Sequence, residues 1–143
     1  MSAATVLVVD DDRIMRRLLV SRLIDKDTNV IEAEDGHQAF MALQSQRVDL
    51  VIIDLEMPVM DGHQLLGVIR GYPKLRHLPV IVLTSKEDRA SHERALSSGA
   101  TSLLIKPLSW SVFGPHIRHI LELSRATRQA LCEAGEAPAL LSA

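Results

Sequence analysis

The chain has 143 residues, 47% hydrophobic and 24% charged, with a formal net charge of −2 at pH 7. This length and composition predict one globular domain with a substantial core, and the near-neutral charge argues against nucleic-acid binding. Because the hydrophobic runs are too short to span a bilayer, the start lacks the features of a secretory signal and one cysteine fits a reducing compartment, we expect a cytoplasmic protein without membrane contact.

Five short, mostly β-branched hydrophobic runs alternate with stretches of helical character. Such near-continuous hydrophobicity is typical of strands that are buried on both faces of a parallel sheet. The predicted strands are Thr5–Val9, Asn29–Ala33, Asp49–Ile53, Pro79–Leu83 and Thr101–Ile105. Between and after them, hydrophobic residues recur every three to four positions, most weakly in residues 87–98. This alternation predicts an α/β fold with helices on both faces of one sheet.

The last predicted helix and the segment after it are the least regular part of the chain. Gly114 and Pro115 lie where this helix should already be under way, and a proline there removes a backbone donor. We therefore expect a kink or a late start near Ser111. Residues 1–124 are predicted to form the domain, and residues 125–143 a helical extension or a flexible tail without an effector domain.

Polar side chains follow four of the five predicted strands. They are Asp10, Asp11 and Asp12 after the first strand, Asp54 after the third, Thr84 and Ser85 after the fourth, and Lys106 after the fifth. In open parallel sheets, sites form beyond the carboxyl ends of the strands. Clustered carboxylates suit a hard cation such as Mg²⁺, and a carboxylate can attack phosphorus to form an acyl phosphate. A lysine and a hydroxyl can stabilise the phosphoryl oxygens.

Each of these polar residues, taken alone, has an ordinary structural explanation. Asp12 or Asp61 alone would be interpreted as a helix N-cap, and Lys106 alone as a surface lysine. Three consecutive carboxylates after a buried strand are harder to explain, because they repel one another unless a cation compensates. The convergence of these groups therefore favours phosphoryl-transfer chemistry.

Four sequence blocks resemble the receiver domain of two-component response regulators, in order and in spacing. The blocks are VLVVDDD, IIDLEMPVMDG, VIVLTS and LLIKP, and the resemblance extends from about Thr5 to Ser124. It implies a five-stranded, doubly wound parallel sheet of the flavodoxin-like receiver fold, with strand order 2-1-3-4-5. The chain is similar to the single-domain chemotaxis regulators of this family.

The resemblance also implies roles for the acidic residues. Asp54 would accept a phosphoryl group from a partner's phosphohistidine. Asp11, Asp54 and the backbone carbonyl of Glu56 would bind Mg²⁺, and Asp10 would act mainly through a metal-bound water. Asp12 would be an additional residue that opens the first helix.

Two further residues would act on the phosphoryl group in this family. Lys106, joined to Pro107 by a cis peptide bond, would contact Asp54 and an incoming phosphoryl oxygen. Thr84 would move inward to bond the phosphoryl group. Leu103 replaces a frequent aromatic residue of the family, so the coupling of Thr84 to that position must be altered or carried by packing alone. The resemblance further implies slow hydrolysis of the aspartyl phosphate by the receiver itself.

The expected partners are a sensor histidine kinase or a histidine phosphotransfer protein upstream, and an unidentified protein target downstream. The signal would leave through the face made by the fourth helix, the fifth strand and the fifth helix. We expect a monomer or a weak homodimer.

Two other function classes stay open. A degenerate receiver would act as a phosphorylation-independent interaction module, but every acid, the threonine and the lysine are present here. A hydrolase of the haloacid-dehalogenase kind would need a second aspartate two residues after the nucleophile, where this chain has Glu56. A dinucleotide-binding fold is excluded, because no G-x-G-x-x-G motif follows a predicted strand.

Three further features carry expectations of their own. The six histidines show no metal-ligand spacing and are expected at the surface. Trp110 is expected either to fill the gap between the last helix and the sheet or to lie on the output surface. We hypothesise that Glu56 and Lys86 pair across the mouth of the site and slow hydrolysis.

Overall fold

The computed structural model describes residues 4–57, 61–85, 87 and 89–133. These residues form one five-stranded sheet of order β2-β1-β3-β4-β5, in which every neighbouring pair is parallel. In chain order the elements are β1 (Ala4–Val9), α1 (Arg13–Leu23), β2 (Thr28–Ala33), α2 (Gly36–Ser45), β3 (Leu50–Asp54), α3 (Gly62–Gly71), a short 3₁₀ helix (Pro73–Leu75), β4 (Val80–Ser85), α4 (Arg89–Ser97), β5 (Ser102–Lys106) and α5 (Trp110–Glu133). The predicted flavodoxin-like receiver fold is confirmed.

Each predicted strand is present, and its bounds lie within one or two residues of the prediction. The largest difference is in β4, which ends at Ser85 instead of Leu83. Thr84 is therefore part of the strand, where it pairs with Ile105 of β5.

The sheet divides the core into two layers. On one face, alternate strand residues such as Val9, Ile53 and Val82 pack with α2, α3 and α4. On the other face, their sequence neighbours such as Val8 and Ile52 pack with α1 and α5. Burying one such aliphatic side chain contributes about 1.5–3 kcal/mol. Two buried faces explain why the strands are almost continuously hydrophobic.

The same alternation determines which face each polar residue at the strand ends occupies. Asp10, Asp54 and Lys106 are two positions beyond Val8, Ile52 and Leu104, which all pack on the α1 and α5 face. These three polar side chains therefore leave the sheet on one side. Thr84, two positions beyond Val82, belongs to the opposite face.

The helix α5 begins at Trp110, one residue from the expected start near Ser111. The carbonyl of Ser109 accepts hydrogen bonds from the N–H groups of Val112 (3.1 Å) and Phe113 (2.9 Å), which initiates the first turn. Pro115 lies inside the helix. Phe113 and Ile117, on either side of the proline, are both buried in the core, and this packing compensates for the lost backbone bond.

The helix α5 continues past residue 124 and packs beneath the amino ends of the strands. There the Arg128 guanidinium lies 2.9 Å from the carboxylate of Asp49, which also accepts the Thr5 N–H at 2.7 Å. Asp49 precedes β3, whereas Asp54 ends it, so this contact is at the opposite end of the sheet from Asp54. No helix in the described ranges has the length and hydrophobicity that a membrane crossing requires.

Candidate functional site

Asp54 is the last residue of β3, and its side chain is buried at the carboxyl edge of the sheet. One carboxylate oxygen, Oδ1, accepts a hydrogen bond from the backbone N–H of Glu56 at 3.2 Å. The other, Oδ2, lies 3.4 Å from Nζ of Lys106, two strands away on β5. The Glu56 side chain is exposed, so its backbone is the part of this residue that contacts Asp54.

Asp10 and Asp11 lie in the turn between β1 and α1. Asp10 continues the pairing of β1 with β2, since its N–H donates to the Ala33 carbonyl at 3.1 Å. Its Oδ1 accepts the N–H of Asp12 at 2.9 Å, which shapes the turn. One carboxylate oxygen each from Asp10, Asp11 and Asp54 lies within 4.8 Å of the others. The structure thus brings the three predicted metal-binding aspartates together.

Asp12 has the separate role that its position predicts. Its Oδ1 accepts the N–H groups of Ile14 (2.9 Å) and Met15 (3.3 Å), so it is the N-cap of α1. Asp61 likewise caps α3, forming a capping box with Gln64.

The environment of Asp10 disfavours its charged form. Burial, and to a smaller extent the neighbouring Asp54 carboxylate, raise the pKa of Asp10 from 3.8 to about 6, against opposing effects of the Asp12 N–H and of Lys106. Oδ2 of Asp10 is buried and has no hydrogen-bond partner among the described residues. A buried carboxylate oxygen that lacks a hydrogen-bond partner and lies beside two further carboxylates fits a bound cation. The all-oxygen donor set suits Mg²⁺.

Arg16 holds the backbone of the turn that carries Asp10 and Asp11, a role that the sequence did not indicate. This arginine is buried on α1, and it donates to the backbone carbonyl of Asp10 at 2.8 Å. Its Nε also pairs with Glu32 of β2 at 3.0 Å, and Arg17 contacts the same glutamate at 2.9 Å. The Arg16 guanidinium therefore holds the backbone of Asp10, while its ion pair is with Glu32 and does not involve the Asp10 carboxylate.

Gly62 allows α3 to begin directly against the strand that carries Asp54. A Cβ atom at this position would lie 2.6 Å from both the Asp54 carbonyl oxygen and Cα of Leu55. The Gly62 N–H donates to the Leu55 carbonyl at 3.1 Å. The glycine of the MDG motif is therefore required by close backbone approach.

Thr84 and Lys106 complete the set of predicted site residues. Thr84 is only 2% exposed, and its hydroxyl has no hydrogen-bond partner among the described residues. Lys106 is joined to Pro107 by a cis peptide bond, as expected. Leu103, two residues before the lysine, packs half-buried against the α2–α4 face.

The described residues test the expectations for the histidines and for Trp110. His63 is buried near the start of α3, so the expectation that all histidines lie at the surface is wrong; the close packing of α3 on the β3 end encloses it. Trp110 packs edge-to-face on Phe113 at 5.5 Å, and Arg22 of α1 covers its ring at 5.0 Å. Trp110 therefore fills the space between α1 and the start of α5, the last helix. Lys86, the hypothesised partner of Glu56, lies outside the described residues.

The sequence is similar to known signalling proteins over most of its length. The family profile described as response regulator receiver domain matches residues 6–114. The chemotaxis protein CheY of Pseudomonas aeruginosa is 36% identical over 118 residues, which are 82% of this chain and 95% of that protein. The response regulator protein FleR of the same organism is 42% identical over 108 residues, which are 73% of this chain but only 22% of FleR.

Solved structures show the same similarity in three dimensions. The Vibrio cholerae chemotaxis protein CheY4 superposes with a TM-score of 0.77 at 28% identity, covering 83% of this chain and 99% of that one. The receiver domain of a signal transduction histidine kinase from Syntrophus aciditrophicus gives a TM-score of 0.78 at 32% identity, covering 84% and 91%. With its fold, its acidic cluster and these similarities taken together, the chain belongs to the response-regulator receiver family of two-component systems.

Proposed function

We propose that this receiver accepts a phosphoryl group on Asp54 from the phosphohistidine of a sensor histidine kinase or a phosphotransfer protein. The observation that carries the proposal is the convergence of Asp10, Asp11 and Asp54 within 4.8 Å of one another. The cationic side chain of Lys106 also contacts Asp54, from β5. Asp10 and Asp54 are buried, and carboxylates held this close repel one another unless a cation compensates.

The proposed transfer is a nucleophilic displacement at phosphorus. A carboxylate oxygen of Asp54 forms a bond to phosphorus while the bond between phosphorus and the imidazole nitrogen of the donor breaks. The imidazole, whose other ring nitrogen carries a proton, leaves as the neutral free base, and an acyl phosphate is formed on Asp54. Nζ of Lys106, which lies 3.4 Å from Oδ2, would neutralise charge on a phosphoryl oxygen. The N–H of Glu56 holds the other carboxylate oxygen in a fixed orientation.

The cation in this proposal is Mg²⁺. Asp10, Asp11 and Asp54 would hold it, together with the backbone carbonyl of Glu56. When bound, Mg²⁺ neutralises charge on the phosphoryl oxygens. Asp10, whose buried Oδ2 has no hydrogen-bond partner in the described part of the chain, would act mainly through a metal-bound water.

The output of the phosphorylated form would be a protein contact. Exposed hydrophobic side chains lie on each element of the expected output face: Leu96 on α4, Ile105 on β5 and Val112 on α5. We expect a monomer or a weak homodimer that binds its target through this face. The presence of all the site residues disfavours an interaction module that does not depend on phosphate. We also expect the receiver to hydrolyse its own aspartyl phosphate slowly.

Labelling with a small phosphodonor tests the proposal. Purified protein incubated with radiolabelled acetyl phosphate and Mg²⁺ should take up label, and a chelator or Asp54→Ala should abolish the uptake. Asp35→Asn is a matched control, because Asp35 caps α2 and does not belong to the acidic cluster. Absence of label on the folded wild type, or equal label on Asp54→Ala, would contradict the proposal.

A further inference from the structure

A histidine ties α4 to the end of β4. Nε2 of His92 lies 2.8 Å from the backbone carbonyl oxygen of Ser85. Since a carbonyl oxygen can only accept, Nε2 must carry the proton in this contact. His92 lies near the start of α4 and is half-buried.

The bond matters because few side chains of α4 are buried in the core. Ala95 is the only buried side chain among residues 89–97, all of which the structure describes. The helix presents mostly polar residues and the exposed Leu96 to solvent. With so little buried surface, a direct hydrogen bond from His92 to the sheet contributes to the position of this helix.

The acceptor of this bond is the residue directly after Thr84. The Thr84 hydroxyl is buried without a hydrogen-bond partner among the described residues, and strand alternation places it on the face opposite Asp54. To bond a phosphoryl group on Asp54, Thr84 must shift at the end of β4. Such a shift displaces the Ser85 carbonyl, which is the atom that His92 holds.

We propose that His92 is the positioning residue that transmits the state of Asp54 to α4. The Nε2–H bond to Ser85 makes α4 follow the end of β4, so the exposed surface of this helix changes when Thr84 engages the phosphoryl group. The inference rests on the proposed phosphorylation of Asp54. The His92 bond would also couple Thr84 to α4 by a hydrogen bond. Leu103 cannot form such a bond, because its side chain is aliphatic and has no polar atom.

Hydrogen exchange with beryllofluoride as the phosphoryl mimic tests the coupling. In the wild type, loading with Mg²⁺ and beryllofluoride should change the exchange of amides in residues 89–97. In His92→Leu these amides should exchange about fivefold faster before loading, the effect of one lost hydrogen bond, and should no longer respond to loading. His92→Gln, whose amide can donate, should retain the response.

Two controls separate this proposal from the proposed function. His116→Leu removes a comparable bond, the 2.8 Å contact of α5 with Ser102 of β5, and should leave the α4 response intact. Labelling of Asp54 by acetyl phosphate is measured in the same variants. If the wild type takes no label, the phosphorylation proposal fails; if His92→Leu takes label and keeps the wild-type α4 response, only the coupling is refuted.

A measurement on the wild type covers the case in which His92→Leu does not fold. The nitrogen chemical shifts of the His92 ring report its protonated nitrogen and the strength of its hydrogen bond. They should show the Nε2–H form before loading and should change on loading with beryllofluoride. Unchanged His92 shifts in a sample whose Asp54 is demonstrably loaded would overturn the coupling.

Discussion

At the scale of single residues, the buried charge of Asp10, a residue of the proposed metal site, lowers the stability of the fold. Its pKa in the folded protein is raised to about 6, mainly by burial. A carboxyl group whose pKa is higher when folded loses its proton less readily there than in the unfolded chain. Its charge therefore destabilises the fold above about pH 6 and has no effect below the unfolded value near pH 4.

Asp10→Asn should accordingly stabilise the metal-free protein. We expect a gain of about 1–3 kcal/mol in the free energy of unfolding at about pH 8, which disappears towards about pH 4. The asparagine oxygen can still accept the Asp12 N–H, so the turn is preserved. Urea unfolding in the presence of a chelator, repeated across this pH range, measures the effect. A variant that is less stable than the wild type at the higher pH would refute the account of Asp10.

Gly62 offers a second prediction at this scale. Gly62→Ala should cost about 1–3 kcal/mol in the free energy of unfolding, since its Cβ would meet backbone atoms of Asp54 and Leu55 at 2.6 Å. It should also weaken Mg²⁺ binding, because the Asp54 backbone must move. Gly67→Ala is the matched control on the same helix, where a Cβ meets nothing within 4 Å. It should be neutral or stabilising by about 0.5–1 kcal/mol, and equal costs in the two variants would contradict this interpretation.

At the scale of elements, α5 is attached to the domain at both ends of the sheet. Near its start, Trp110 and Phe113 pack in the layer beneath α1. Near its end, Arg128 pairs with the buried Asp49, which Arg47 also approaches at 3.4 Å. The last turns of α5 are therefore held by a specific ion pair at the edge of the core.

Arg128→Ala should reduce the stability of the domain. Removing the nearer of two cations from a buried carboxylate leaves its charge poorly compensated, and we expect a loss of about 1–3 kcal/mol. Arg118→Ala, at an exposed position of the same helix, should change stability by about 0.5 kcal/mol or less. Chemical denaturation of both variants tests the difference. An Arg128→Ala variant as stable as Arg118→Ala would show that the ion pair contributes nothing.

The elements also show what the sequence could and could not reveal. The strands and the acids at their ends were predictable, because both signals are local: a continuous hydrophobic run, then a polar residue at the edge. The burial of His63 and the pairing of Arg128 with Asp49 depend on long-range packing. No spacing in the sequence encodes those contacts.

At the scale of the whole molecule, the acidic cluster and the end of α5 lie at opposite edges of the sheet. Its carboxyl edge gathers three carboxylates and a lysine from three strands, whereas its amino edge holds the end of α5. Helices α2, α3 and α4 cover the face to which Thr84 belongs. The proposed coupling of Asp54 to α4 would run through the end of β4, where His92 contacts the Ser85 carbonyl.

The location of the phosphoryl group tests the central claim most directly. After incubation with acetyl phosphate and Mg²⁺, borohydride reduces an acyl phosphate and converts the modified aspartate to homoserine. Peptide mass spectrometry should then find homoserine at position 54 and at no other acidic residue. Homoserine at Asp10 or Asp11, or none anywhere in a folded and Mg²⁺-loaded sample, would contradict the assignment of Asp54 as the phosphoacceptor.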